Sequence, residues 1–503
     1  MRYLLGLDNG GTEIKCSLYD LNGRELSSSS EKVKMEVSRE GFTERDGDAL
    51  FSANCRAIAS VMERSGVNPG SVLAVGVTGY GNGVCLVDKN SRSVYPVIVS
   101  TDSRAASYVS QWRKDGTAER VYRATRQELF ASQPPALIAW FKDNLPDVLE
   151  KASFALQVKD YIRGRLTGTL CLEYTDMSNS ALLDIDRRKY AESVFEDTGI
   201  KRYRRLFSDR ILRCTDSAGC ISGEAAALTG LRRGTPVCAG LFDIDASCLA
   251  AGVLSREELC IVGGTWIINE YLTGNVEEGK GKMAATLAFL DGLYLISDSS
   301  ATGVGNLNWY LDNYAAALFP GAEGGALYSA CASAAKASGF RSGGPLFVPY
   351  LYASATAPGS RGAFLNITGA DDAASMLRAV YEGVAFSSAC HVERLKRGRE
   401  GFKRIKFLGG ASNSDFWCQI FADVMGTTVE TVKAANPGTL GAALCAGVSA
   451  GVYSDFAEAV SACPSASSVY EPDGNASELY AEKIKRYRHA VCLVDSFGEL
   501  CYT

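Results

Sequence analysis

The sequence predicts an α/β chain folded as two lobes, on three observations. An apolar strand, a Gly-Gly-Thr turn and a second apolar strand open the chain, from Tyr3 to Asp20. The same device recurs half a chain later, from Glu258 to Asn269, around Gly263-Gly264-Thr265. Finally, 503 residues are too many for one hydrophobic core. The duplication places the lobes at 1–252 and 253–503.

In the first hairpin, glycines at the turn let backbone N–H groups approach an anion closely. Asp8, at the end of the strand, suits a hard cation such as Mg²⁺, held directly or through water. Two such hairpins facing each other across a cleft can grip a polyphosphate. Two unrelated β-turns are the plain alternative.

Bulk composition narrows the function. The chain is 47% hydrophobic and 22% charged, ordinary for a globular protein. A net charge of −5 gives no reason to expect a nucleic-acid or anionic-membrane partner. No apolar run approaches the roughly 18 residues of a membrane span. Met1 to Asp8 reads as a first strand rather than a signal peptide. Sixteen cysteines lie scattered without a CxxC pair, as expected of reduced thiols in a cytoplasmic protein. The two histidines, His391 and His489, sit in helix-like stretches beside Lys or Arg and read as surface or packing residues. An enzyme of this composition is expected to use a carboxylate as its base.

In chain order, a third strand is expected over 32–37, then a polar turn at Gly41-Phe42-Thr43-Glu44-Arg45-Asp46. A helix follows over 48–65, with Leu50, Ile58, Val61 and Met62 on one face. Glu44 and Asp46 are first-turn acids or line a polar pocket. The apolar strand 72–77 ends in Thr78-Gly79-Tyr80-Gly81-Asn82-Gly83, a loop that a ligand can approach closely. A strand, not a helix, follows it, so it is no dinucleotide fingerprint. The strand 94–100 ends at Asp102-Ser103-Arg104. That acid and base can read a polyol, or form a local ion pair or helix cap. Helices dominate to about 163. The buried strand 236–240 then delivers Asp243-Ile244-Asp245 to a small-residue helix over 248–253. Asp243 either caps that helix or acts as a general base; Asp245 competes with it.

In the second lobe, residues 274–281 nearly spell a P-loop. They lack its Ser/Thr and carry two acids, so a true P-loop is not expected. Residues 299–306, including Gly305, enter a helix. A strand at 343–352 and a Gly/Ser/Pro loop at 354–363 precede an amphipathic helix over 371–396. The strand 405–408 runs into Gly409-Gly410-Ala411-Ser412-Asn413 and a helix over 415–424, a turn suited to a nucleotide's sugar or base. A small-residue helix over 438–451 packs tightly, and a charged helix over 476–491 lies on the surface.

Taken together, Gly6-Leu7-Asp8, Gly10-Gly11-Thr12 and Lys15 resemble the FGGY carbohydrate kinases. So do Asp102-x-Arg104, Lys159-Asp160-Tyr161, Leu166-Thr167-Gly168 and Gly240-x-x-Asp243-x-x-Ala246. In the second half the match continues through Gly264-Thr265, Glu382-Gly383, Gly409-Gly410-x-x-Asn413 and Gly441-Ala442-Ala443. The resemblance implies two ribonuclease-H-like lobes of the actin and hexokinase type with a central cleft. It implies ATP and Mg²⁺ as cofactors and a small sugar or polyol as substrate. Asp243 is then the general base and Asp8 the metal ligand. Gly10, Gly11, Thr12, Lys15, Gly264, Thr265 and Gly305 join Gly409, Gly410 and Asn413 as nucleotide-binding residues. Gly81, Asn82, Asp102 and Arg104 join Asp243 at the sugar.

Within the family the chain is most similar to the bacterial L-xylulose kinases, through residues 41–46, 86–90, 240–243 and 264–266. Tyr80-Gly81-Asn82-Gly83 stands where D-xylulose kinases carry Gln-Met-His-Gly, which disfavours D-xylulose. Leu137 stands where the family's helix signature wants lysine. An open-chain pentulose such as L-xylulose is the expected acceptor. D-xylulose, L-ribulose, erythritol, glycerol or a sugar-independent ATP-driven switch are the alternatives, and a homodimer is left open.

Overall fold

The computed structural model describes residues 1–38, 41–281, 284–315, 318–352, 354, 359–463 and 468–502. Part of the loop expected at 354–363 lies outside them. The chain forms two compact units: Met1–Leu254, Thr273–Leu295 and Asn436–Pro464 make unit 1, and Ser255–Leu272, Ile296–Ala435 and Ser465–Thr503 make unit 2. The boundary at 252/253 read from the sequence is therefore crossed by two later segments that return to unit 1.

Unit 1 is built on a sheet of β1 (Tyr3–Asn9), β2 (Ile14–Asp20), β3 (Glu25–Glu31), β4 (Val72–Gly79), β5 (Ser217–Cys220), β6 (Pro236–Cys238) and β7 (Leu241–Phe242). The order is β5-β6-β4-β1-β2-β3, with β7 also paired to β4. β1 runs antiparallel to β2 and parallel to β4. Central position explains why β1 and β4 are almost wholly buried and read as continuous apolar runs. The third strand lies at β3, earlier than the expected 32–37. Pairing with β2 across the turn at Gly23 draws the serine-rich segment 25–31 into an edge strand, overriding its weak intrinsic propensity.

Unit 2 repeats the plan with β8 (Glu258–Gly263), β9 (Ile267–Thr273), β10 (Tyr294–Ser300), β11 (Arg404–Leu408), β12 (Thr428–Thr431) and β13 (Ser468–Tyr470), in the order β10-β9-β8-β11-β12-β13. β8 is antiparallel to β9 and parallel to β11, and β11 is parallel to β12. In both units a first strand has its two successors on one side and two later parallel strands on the other. The long helix Ala373–Lys396 starts at a capping box between Asp372 and Ser375. Buried Glu382 ties it to the C-terminal helix Gly474–Tyr502, accepting from Arg378 at 2.7 Å and Lys483 at 2.5 Å.

The small-residue helix Pro437–Ser449 packs on β1, on β4 and on the helix Asp243–Ala250, all within unit 1. Glycines set the distance. A Cβ on Gly6 would stand 1.8 Å from the Thr439 carbonyl oxygen, and one on Gly76 1.9 Å from that of Ala442. On Gly441 it would stand 2.0 Å from the Ala246 carbonyl oxygen. The opposing atoms are backbone, so no side chain can turn aside. Gly76→Ala is expected to destabilise the protein by about 1–3 kcal/mol through overpacking, read as a lower chemical-denaturation midpoint. An unchanged midpoint would show that the helix can move off the sheet at little cost.

Candidate active site

The register of unit 1 brings two acids to the same end of its parallel strands. Asp8 near the end of β1 pairs across to Thr78 of β4, and Thr78 pairs across to Leu241 of β7. Asp243 follows β7 by one residue. Crevices beyond the carboxyl ends of parallel strands are where α/β sheets bind ligands. Asp243 is the first residue of the helix Asp243–Ala250, not a cap before a helix at 248. The cap position falls to Phe242, which has no side chain able to cap.

Both acids are half-buried, and each has one oxygen, Oδ1, without a hydrogen-bond partner among the described residues. Burial raises the Asp8 pKa to about 6, with Lys15 pulling the other way. Burial, and then the charge of Asp8, raises Asp243 to about 8. Gly438 leaves room for the Asp8 carboxylate, since a Cβ there would lie 2.3 Å from Oδ2. Asp245 is different. It is fully buried, and its Oδ1 accepts the Phe289 amide at 2.9 Å. It anchors a neighbouring segment of unit 1.

The glycine turn after β1 is open. A Cβ on Gly11 would meet no atom within 4 Å, and Thr12 is exposed. The Gly10 amide donates to the Glu13 carbonyl at 3.1 Å. Buried Arg45 fixes the turn from below, donating to the carbonyls of Gly10 and Gly11. The sequence marked Arg45 only as part of the 41–46 motif and not for this role, because its partners are backbone atoms 34 and 35 residues away.

The residues expected at the sugar divide into two groups. Asn82 takes a positive φ of 64° and keeps an unpartnered Oδ1. A Cβ on Gly81 would meet the Phe242 ring at 2.6 Å, so this loop lies directly against the end of the strand that precedes Asp243. Asp102 and Arg104, by contrast, are buried against each other. Asp102 accepts from Arg104 Nε and Nη2, both at 2.9 Å, and from the Thr43 amide at 2.6 Å. Arg104 Nη2 also reaches Glu44 at 2.7 Å, Nη1 reaches the Tyr95 hydroxyl at 3.5 Å, and the guanidinium lies 4.4 Å from the centre of the Phe42 ring. Every guanidinium nitrogen of Arg104 is engaged within the chain. The local ion pair prevails over direct polyol reading by Arg104, because a buried guanidinium requires partners. Asp46 is a helix cap, accepting from the Ala49 amide at 2.7 Å.

In unit 2 the second glycine turn is also accessible, with Thr265 exposed and Gly264 partly so. Gly264 accepts from the Val304 amide at 2.7 Å, which seats the 303–305 segment beside the turn. Gly305 accepts from the Tyr352 hydroxyl at 3.2 Å. Gly409 takes φ 92° where its backbone crosses Gly263, and a Cβ there would meet the Gly263 carbonyl oxygen at 2.7 Å. Beyond it, Gly410, Asn413 and Asp415 line a cavity of about 630 Å³ together with Val304, Tyr328 and Trp417. Residues 276–279 form a short 3₁₀ turn, and no P-loop is present there. His391 is buried, bonded to Ser300 at 2.8 Å and paired with Asp298 at 3.0 Å. His489 is exposed. No described helix is long and apolar enough to cross a membrane.

Two units of one plan, one with a paired-acid site and one with a ligand-sized cavity, define a phosphotransferase of the two-lobed α/β type. The sequence comparisons place it more closely. The model of the FGGY family of carbohydrate kinases, N-terminal domain, matches residues 3–250, and that of its C-terminal domain matches residues 259–450. The chain belongs to the FGGY family: it is a sugar kinase that takes its phosphate from ATP. It is 32% identical to the L-xylulose/3-keto-L-gulonate kinase of Escherichia coli, over 99% of this chain and 98% of that one. It is 24% identical to the xylulose kinase of Bacillus subtilis, over 91% and 90%. The fold matches the crystal structure of a ligand-bound xylulose kinase from Lactobacillus acidophilus with a TM-score of 0.89, at 22% identity and covering 99% of this chain and 100% of that one. It also matches Plasmodium falciparum glycerol kinase with ADP, with a TM-score of 0.84, at 18% identity and 98% coverage of each.

The coupling of the two acids gives a direct measurement. Asp8→Asn removes the negative charge that helps raise Asp243. In metal-free protein the Asp243 carboxyl, followed by carbon NMR, is expected to titrate at lower pH in that variant than in the native chain. An unmoved midpoint would mean that the two carboxylates do not feel each other.

Proposed function

We propose that this kinase phosphorylates a hydroxyl of an open-chain pentulose of the L-xylulose type, with Asp243 as the base. The observation that carries the assignment of the base is the Asp243 carboxyl itself. It is half-buried, it has an oxygen that no group among the described residues engages, and burial pushes its pKa up to about 8. A buried carboxylate raised above its ordinary value is a stronger base toward an alcohol than a free aspartate. In the reaction it would align the acceptor hydroxyl and take its proton late, as a loose phosphoryl transfer requires. Asn82 and the Gly81 backbone would contact the sugar, with Asp102 and Arg104 holding the neighbouring segment in place.

The residues present suit magnesium. Asp8 offers an unpartnered carboxylate oxygen beside a glycine that leaves room, a hard oxygen donor for a hard cation. Asp8 would hold the ion, which when bound neutralises charge on the phosphate oxygens. Gly10, Gly11, Thr12 and Lys15 of unit 1 are assigned to phosphate contacts. In unit 2, Gly264, Thr265 and Gly305 are assigned to the nucleotide's phosphate side. Gly409, Gly410 and Asn413 take the adenosine side, where the cavity lies. The pentulose assignment is supported by the name of the Escherichia coli relative and by the absence of the Gln-Met-His-Gly loop. The cytoplasm, where ATP is abundant, is the compartment that fits this reading.

A coupled kinase assay against L-xylulose, D-xylulose, L-ribulose, erythritol and glycerol tests the substrate. The highest kcat/KM is expected for L-xylulose, and preference for a polyol would overturn the pentulose assignment. Asp243→Asn is expected to lower kcat by about 10²–10⁴-fold, the usual contribution of a general base, with ATP affinity by calorimetry nearly unchanged. Near-native turnover would remove Asp243 from the role. Asp245→Asn keeps an acceptor for the Phe289 amide and is expected to be much milder.

A further inference from the structure

Behind Asp243 lies a group of charged side chains wholly shut off from solvent: Lys159, Asp160, Arg163, Glu173 and Asp176. The Lys159 ammonium sits 2.9 Å from Asp160 and 3.3 Å from both Glu173 and Asp176. Arg163 pairs with Asp160 at 2.8 Å. Two cations and three carboxylates are present, and burial pushes Asp176 well towards its neutral form, which balances the count. Such a cluster is costly to bury and contributes little net stability compared with well-packed apolar side chains. Its contacts run toward the active site.

Two arms leave the cluster for the segment 239–242 that leads to Asp243. Arg163 Nη1 donates to the Ala239 carbonyl at 2.5 Å. Glu173 holds Thr175, accepting from its amide at 2.8 Å and from its hydroxyl at 2.7 Å. The Thr175 hydroxyl in turn accepts the Phe242 amide at 2.9 Å. A threonine hydroxyl ordinarily rotates to suit its surroundings. Here its proton is committed to Glu173, so its lone pair is fixed toward Phe242. Phe242 occupies the cap position before Asp243 and cannot cap with its own side chain. The entry to that helix is therefore held from outside, by Thr175 at the Phe242 amide and by Thr78 at the Leu241 carbonyl, at 2.7 Å.

We propose that Thr175 is a positioning residue for the base, carrying the fixed geometry of the buried Lys159–Glu173 pair to the Phe242 amide and so setting where the Asp243 carboxylate stands. The inference rests on the reading of Asp243 as the base. Thr175 need touch no substrate. It acts on the chemical step, where a displacement of an ångström costs about 10²-fold, and it leaves nucleotide binding alone.

The test is a double-mutant cycle between Thr175→Val and Asp243→Asn, with single-turnover rates and calorimetric ATP affinity read together. Valine keeps the shape and removes the hydroxyl. Thr175→Val is expected to lower the rate of phosphoryl transfer about 10–100-fold with ATP affinity within about twofold, and Thr175→Ser is expected to restore most of the rate. In the Asp243→Asn background, Thr175→Val is expected to lower the residual rate no further. A native rate in Thr175→Val, or an equal loss in both backgrounds, would overturn the inference and leave a merely structural threonine. If Thr175→Val does not fold, Thr175→Ala, which removes the hydroxyl without setting a methyl group against Glu173, is put through the same cycle. Native turnover by Asp243→Asn would instead bring down the base assignment and this inference with it. An inactive Asp243→Asn beside a native Thr175→Val would bring down only the inference.

Discussion

Burial of Asp8 and Asp243 at one end of the sheet is the constraint around which unit 1 is arranged. Two carboxylates brought together at the end of a sheet, each with an oxygen left unsatisfied, are unstable by themselves. Left free, the strands would splay or the side chains would turn to solvent. The parallel pairing of β1, β4 and β7 and the close-seated helix Pro437–Ser449 prevent both. The cost appears as raised pKa values, through burial at Asp8 and through burial and then the charge of Asp8 at Asp243. Such a site has charge deficits ready for a cation and for a proton, which is what phosphoryl transfer to an alcohol requires.

Unit 1 therefore holds two kinds of buried charge with opposite accounts. In the Lys159 cluster, cations and acids face one another at hydrogen-bond distance, and the group is rigid. At Asp8 and Asp243 the partners are withheld. The first kind braces the backbone from behind, and the second presents reactive groups in front. Arg104 belongs with the first: its contacts to Asp102 and Glu44 tie the 101–104 segment to the 43–45 strand.

The sequence revealed these features unevenly. The hairpins were readable because each joins two apolar runs through a short Gly-Gly-Thr break. Asp243 was visible as an acid between a buried strand and a small-residue helix. The helix begins at Asp243 itself rather than at 248, because Ile244 to Ser247 pack in helical register despite poor local signals. The roles of Thr175 and Arg45 were not readable, since their partners lie tens of residues away. The pairing of Asp102 with Arg104 was one of two readings, and only burial could choose between them. The short strand Val97–Ile98 replaced a longer expected one, as its neighbours at the sheet edge end early.

The helix Pro437–Ser449 lies more than 420 residues beyond β1, yet it covers that strand. During synthesis the apolar face of β1 and β4 must wait for it through the making of most of the remaining chain. Contacts of such sequence separation are slow to form, and the waiting surface is prone to association. A nascent chain stopped anywhere before residue 437 would bear an uncapped sheet, so production of this kinase depends on what shelters that face until the helix has been made.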